Sequence, residues 1–274
     1  MNCFKGKVAI VTGGASGIGR AVCQELGKFG ATMVVADINL EGAEEVSKAI
    51  SGNGGSATAA ELDVRDAEAI QKLVDETFAE HGRLDYMFNN AGINIAGEVR
   101  DLLPEHWKRV LDINMMGVVH GTRIAYSVMV KQGFGHIVNT ASLCGIMPVP
   151  LEAPYATAKH AVVGLSTSLR PEGAALGVKV SVFCPGVIQT PLLEKTVAVN
   201  STMDDILSIS PLGIMDLNDA IQALLQGVAR NQGMIVCPKD SKMSWRLYRL
   251  VPALMDKLMA KSVSEFREKR SAGA

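Results

Sequence analysis

Several features that would mark other classes of protein are missing from this 274-residue chain. No apolar stretch is long enough to span a bilayer, which takes about 20 consecutive residues. The first apolar run starts within a few residues of Met1, so no signal peptide is expected. Cysteine is sparse. Cys3, Cys23, Cys144, Cys184 and Cys237 are scattered without a C-x-x-C spacing, which argues against a disulfide frame or a metal site and for reduced thiols in the cytoplasm. Charge imbalance is absent too: the net charge of −1 offers nothing to a nucleic acid. Internal repeats and low-complexity segments are lacking. What remains is an ordinary buried core, with 48% of residues hydrophobic.

Short apolar runs alternate with amphipathic stretches along the chain. Residues 8–11, 32–36, 56–62, 86–88, 135–140, 178–183 and 233–237 read as strands. Helical spacing covers 20–29, 40–51, 66–81, 104–132, 154–176 and 219–230. This alternation predicts an α/β fold with a doubly wound parallel sheet of about seven strands. The ligand crevice then lies at the strand C-termini, where Asp37, Asp63, Asn89, Ser142 and Pro185 collect.

Two motifs carry chemistry. Strand 8–11 runs into glycines at 13, 14, 17 and 19 and then into a helix. Glycine lets backbone approach a pyrophosphate, and a helix N-terminus offers free N–H groups and a partial positive charge. The second motif is Tyr155 followed four residues later by Lys159. On a helix the two lie on one face, one turn apart. A phenol ionises near pH ~10, and an adjacent ammonium is expected to lower that value and make the phenol a usable acid or base.

The glycine spacing is Thr12-Gly13-x-x-x-Gly17-Ile18-Gly19, not Gly-x-Gly-x-x-Gly. With Asp63-Val64, Asn89-Asn90-Ala91-Gly92, Asn114, Ser142, Tyr155, Lys159 and Pro185-Gly186 following in order, the chain resembles the short-chain dehydrogenase/reductase family over residues 5–237. The resemblance implies a Rossmann-like sheet of order 3-2-1-4-5-6-7 and an alcohol dehydrogenase or carbonyl reductase with a catalytic set of Asn114, Ser142, Tyr155 and Lys159. Tyr155 would exchange a proton with the substrate oxygen. Lys159 would hold the nicotinamide ribose and lower the Tyr155 pKa. Ser142 would bond the substrate oxygen, and Asn114 would hold a water that extends the proton path. It also implies cofactor contacts from Gly13, Ser16, Gly17, Ile18 and Gly19, from Asp63 and Val64 at the adenine, and from Asn90, Ala91 and Gly92. Pro185, Gly186, Ile188 and Thr190 would sit at the nicotinamide, with Asn89 bracing the sheet. Asp37, at the end of the second strand, would accept bonds from the adenosine ribose and repel a 2′-phosphate. With Ser16 and Ile38 at positions often basic in relatives that prefer the phosphorylated cofactor, NAD(H) is expected over NADP(H). A non-catalytic NAD(H)-binding sensor or scaffold of the same fold is the alternative, disfavoured because the whole catalytic set is present.

Leu143, Cys144, Val149, Leu151, Val187, Leu192 and Leu193 are expected to line the substrate pocket under a lid near 191–215 that holds Met203, Ile206, Leu207 and Ile209. An apolar lining with no lid arginine points to a hydrophobic secondary alcohol or ketone. Homo-oligomers, dimers or tetramers, are expected by analogy. Two features depart from the family pattern. Pro171 is predicted to kink or break the helix that carries Tyr155. The catalytic domain, 1–238, is followed by an extension, 239–274, with nine basic and four acidic side chains, a net +5 that leaves about −6 elsewhere. In it Leu250, Met255, Leu254, Leu258 and Met259 are read as one apolar stripe. Such a tail either packs on its own body or a partner subunit, the favoured reading, or lies on an anionic membrane surface.

Overall fold

The computed structural model describes residues 1–209 and 213–272. Nine strands are present among them: β1 (Val8–Thr12), β2 (Thr32–Asp37), β3 (Ser56–Glu61), β4 (Tyr86–Asn89), β5 (Ile95–Ala96), β6 (Gly135–Thr140), β7 (Val178–Pro185), β8 (Val197–Ala198) and β9 (Met234–Cys237). Seven form a wholly parallel sheet in the order β3-β2-β1-β4-β6-β7-β9. This is the expected doubly wound order. The labels shift only because β5 and β8 pair separately, Ile95 against Val197 and Ala96 against Ala198. Two-residue strands are too short to leave an alternating pattern in a sequence.

Both faces of the sheet are covered, so its central strands are apolar throughout. Along β1, Ala9 and Val11 face one layer and Ile10 the other, as the two-residue side-chain period requires. The first layer is α1 (Gly17–Lys28), α2 (Leu40–Gly52) and, later in the chain, α9 (Leu217–Ala229), which contribute Leu26, Val46 and Leu224. The second includes α3 (Ala67–His81) and α5 (Gly117–Gln132), which contribute Ile70, Val74 and Ile124. The order reverses between β1 and its two neighbours, β2 and β4, so a crevice opens at the C-terminal ends of β1 and β4.

The helical stretch 104–132 is continuous but not uniform. It comprises α4 (Pro104–Leu111), a π-helical turn (Asp112–Met116) and α5. Of the two outcomes expected at Pro171, a break does not occur: α6 (Ala153–Ala174) continues through it. Pro171 and Thr167, whose carbonyl loses its helical donor, are both exposed, so water can satisfy that oxygen.

Two short helices, α7 (Pro191–Glu194) and α8 (Met203–Ile209), precede α9. The extension forms α10 (Lys239–Leu250) and α11 (Pro252–Ala272). Its apolar residues are not one stripe. Met255 and Met259 are buried against Leu143 and Met147, and Phe266 against Leu151 and Ile206. Leu254 and Leu258 are each 50% exposed, and Leu250 is 80% exposed. Positions 255, 259 and 266 follow one row of the helix, whereas 254 and 258 lie about 100° around the axis, and the body covers only the first row. Arg267 anchors this packing through a bond from Nη2 to Glu98 Oε2 at 2.9 Å. No described helix is long and apolar enough to cross a membrane.

Candidate active site

The glycines after β1 are required by the backbone. Gly13 (φ +66°) and Gly17 (φ +51°) are left-handed, a region costly for any residue with a Cβ. A Cβ on Gly13 would lie 2.8 Å from the Ala91 backbone, and one on Gly19 would lie 2.0 Å from the Gly13 carbonyl. Thr12 ties the turn to the end of β4. Its hydroxyl accepts from the Asn90 and Ala91 backbone N–H groups at 3.0 and 3.2 Å. Asn90 Nδ2 donates back to the Thr12 and Gly13 carbonyls at 3.2 and 3.3 Å. Ser16, Gly17 and Ile18, at the start of α1, then stand on the wall of a cavity of about 520 Å³.

Asp37 is held on this wall by N–H donors from Ala15 (3.0 Å) and Asn39 (2.9 Å). Ile38, Asp63 and Val64 continue it. The Asp63 carboxylate is gripped by the Arg65 guanidinium, at 2.9 Å from Nε to Oδ2, and this partner holds its pKa below the usual carboxylate range. Arg65 is not legible as a site residue in the sequence. Asn90, Ala91, Gly92, Pro185, Gly186, Val187, Ile188 and Thr190 line the cavity, as do Leu143, Cys144, Val149, Leu192 and Leu193. From the lid segment, Met203, Ile206 and Leu207 do so as well; the Ile209 side chain lies outside the described residues.

Three expected contacts are off the wall. Gly19 is buried behind the turn. Leu151, with φ +65°, packs into the Phe266 and Ile206 cluster instead. Asn114 is fully buried in the π-helical turn. Its Oδ1 accepts from Ile93 N at 2.9 Å, and its Nδ2 donates to Ile93 O at 2.8 Å. Its amide therefore fixes the loop backbone next to Gly92 and does not face the open space.

Ser142, Tyr155 and Lys159 converge on the same wall. Tyr155 and Lys159 occupy the first two turns of α6 and are 9% and 2% exposed. Lys159 Nζ donates to the Thr140 carbonyl at 2.8 Å and lies 5.4 Å from the Tyr155 ring centre. Burial lowers its pKa to about 8. The expectation that the ammonium lowers the Tyr155 pKa is not met in the protein alone. Burial pushes the phenol well above its ordinary value, with Cys144 and Glu152 adding to the rise and the Ser142 hydroxyl bond opposing it. The lysine is turned toward Thr140, and desolvation outweighs the remaining attraction. Tyr155 is thus protonated at neutral pH, the state of a proton donor. No group of three or more His, Cys, Asp or Glu that could hold a metal occurs among the described residues.

A family model for short chain dehydrogenases matches residues 7–201. The chain belongs to the short-chain dehydrogenase/reductase family. Among curated relatives, a 2,5-dichloro-2,5-cyclohexadiene-1,4-diol dehydrogenase from Sphingobium indicum is 38% identical over 216 residues, covering 78% of this chain and 85% of the relative. A cyclohexanol dehydrogenase from an Acinetobacter species is 37% identical over 197 residues, covering 71% and 78%. The solved structure of a short-chain dehydrogenase/reductase from Burkholderia phymatum in complex with NAD has a TM-score of 0.84 and 26% identity, covering 92% of this chain and 96% of that one. The protein is accordingly an oxidoreductase of this family, with the Rossmann-like fold the family uses.

Proposed function

We propose that this chain interconverts a hydrophobic secondary alcohol and its ketone with NAD(H). The observation that carries the reading is the convergence of Ser142, Tyr155 and Lys159 on the one cavity into which the Gly13–Gly17 turn opens. A bound nicotinamide supplies or takes up the hydride. The turn and the start of α1 would hold the pyrophosphate, with the first N–H groups of the helix presented to the anion. Asp37 would accept from the adenosine ribose hydroxyls, and its charge disfavours a 2′-phosphate. Asp63 and Val64 are assigned to the adenine and Pro185, Gly186, Ile188 and Thr190 to the nicotinamide end.

Tyr155 gives its proton to the carbonyl oxygen in reduction and takes it back in oxidation. Ser142 donates to that oxygen and stabilises the charge that builds there. Lys159 lies beside this pair, a buried cation that favours the phenolate once the phenol has lost its proton. Asn114, through Ile93, fixes the backbone beside Gly92. The apolar lobe of Leu143, Val149, Leu192 and Leu193 suits a ring alcohol, and the names of the Sphingobium and Acinetobacter relatives support that class.

Five unpaired cysteines, four of them buried, fit a reducing, cytoplasmic setting. The family analogy carries a homo-oligomer. The outer leucine row of α11, with its basic neighbours, suits a partner subunit or an anionic membrane surface.

The deciding experiment is Tyr155→Phe. NADH binding, read by its fluorescence, should persist while turnover of ring alcohols is lost. Near-normal turnover would refute the assignment. Binding by the wild type without any absorbance change across a panel of ketones and alcohols would favour a sensor.

A further inference from the structure

The reaction end of the cavity contains a carboxylate that proton transfer does not use. Glu152 lies three residues before Tyr155 and reaches the wall of the cavity. Its Oε1 accepts from Asn94 Nδ2 at 2.9 Å, and its Oε2 accepts from the Cys144 thiol at 3.0 Å. A carboxylate offers about four acceptor positions, so two remain after these bonds are made. The two donors approach different oxygens and thereby fix the plane of the group.

Asn94 is committed to this task. The residue is 7% exposed, and its Oδ1 is closed off from solvent without a hydrogen-bond partner among the described residues. Turning the amide over would set that oxygen against the carboxylate, so the orientation is determined. An orphaned buried oxygen costs about 1–3 kcal/mol, and such costs are tolerated where they serve a site. The thiol hydrogen of Cys144 is likewise engaged. The cavity wall that carries this carboxylate also includes the apolar Leu143, Val149 and Leu192. A ligand against that part of the wall therefore meets a fixed acceptor beside apolar side chains. An apolar ring with a hydroxyl matches it. An ammonium would have to be desolvated in the same apolar lobe, which costs far more than desolvating a hydroxyl.

We propose that Glu152 is a specificity-determining residue that accepts a hydrogen bond from a second hydroxyl of the substrate, with Asn94 as its positioning residue. The preferred substrates are then cyclic diols and hydroxyketones over ring mono-alcohols. This rests on the dehydrogenase reading above.

The test uses the full chain with NAD and compares cyclohexanol with the cis and trans forms of 1,2- and 1,4-cyclohexanediol. For the wild type, at least one diol should exceed cyclohexanol about tenfold in kcat/KM, chiefly through KM, the size of one good hydrogen bond. Glu152→Gln and Asn94→Leu should each collapse that ratio toward one. No diol advantage in the wild type, or a ratio unmoved by both substitutions, overturns the subsite and leaves the dehydrogenase intact. An equal effect on diol and mono-alcohol, seen only as a shift of the pH profile, assigns Glu152 to the electrostatics of Tyr155 and also overturns it. A 2-aminocyclohexanol preferred over every diol does the same. If no alcohol is turned over, the dehydrogenase reading fails. Thermal-shift titration of wild type and Asn94→Leu with the diols then decides the subsite by binding alone.

Discussion

Lys159 should make the folded protein less stable at neutral pH than its burial and packing alone would give, and this can be measured without any substrate. Its pKa falls from 10.5 in the unfolded chain to about 8 in the fold, with burial the largest cause. At about 1.36 kcal/mol per pH unit, charging this side chain in its site costs about 3 kcal/mol. The unfolded chain binds the proton more tightly between pH 8 and 10.5, so the contribution to stability rises with pH across that window and is at its worst below it. Lys159→Met keeps the chain length and removes the charge, but it also leaves the Thr140 carbonyl without its donor, a loss of about 1–3 kcal/mol. The net expectation at pH 7 is a variant between as stable as the wild type and about 2 kcal/mol more stable. The sharper quantity is the difference between pH 7 and pH 10. Urea denaturation of both proteins at the two pH values should show the wild type gaining about 2–3 kcal/mol relative to the variant on going up, because all other titrating groups cancel. A wild-type-minus-variant difference that is flat with pH, or that moves in favour of the variant as pH rises, would refute the picture of a desolvated ammonium and with it the placement of Lys159.

Further outcomes are expected at other positions. Asp37→Ala should cut the ratio of kcat/KM for NAD over NADP by about tenfold or more, about 1.4 kcal/mol; comparable use of both cofactors by the wild type would remove the basis for the preference. The pH profile of alcohol oxidation should rise toward alkaline pH, since the phenol must lose its proton to act as base and its pKa is raised. Removing the nearby negative charge with Glu152→Gln should move that rise to lower pH, and a profile unchanged or moved upward would count against the coupling. Changing Leu250, Leu254 and Leu258 to Ser should leave Met255, Met259 and Phe266 in place and reduce co-sedimentation with anionic vesicles at low salt. Equal partitioning of the two proteins ends the membrane reading and leaves a partner subunit for that face.

The sheet was legible because most of its seven strands are short apolar runs bounded by helical spacing, and the alternation called for parallel pairing; β3, Ser56–Glu61, is the least apolar of them. The short β5 and β8 were not, having no pattern to show. Most of the predicted wall residues do face one cavity, since residues at the C-terminal ends of parallel strands are brought to one edge by the topology. Where side-chain direction decides, sequence spacing is silent. Leu151 turns away because its backbone is left-handed, a property no neighbouring residue announces. Asn114 bonds to Ile93 because the helix widens into a π turn at that point. The tail stripe divided in two because sequence spacing cannot say which row of an amphipathic helix meets the body. Pro171 was tolerated because its turn faces water. Glu152 could have been found from its place one turn ahead of Tyr155, whereas Asn94 and Arg65 carry no such signal.

Met255 and Met259 pack behind Leu143, and Phe266 packs behind Ile206. Leu143 and Ile206 themselves form part of the cavity wall. The C-terminal helix is therefore a backing layer for that part of the cavity wall. Under the proposed function, exchanging it for another amphipathic segment is expected to reshape what the cavity admits, which makes this a natural place to retune the enzyme.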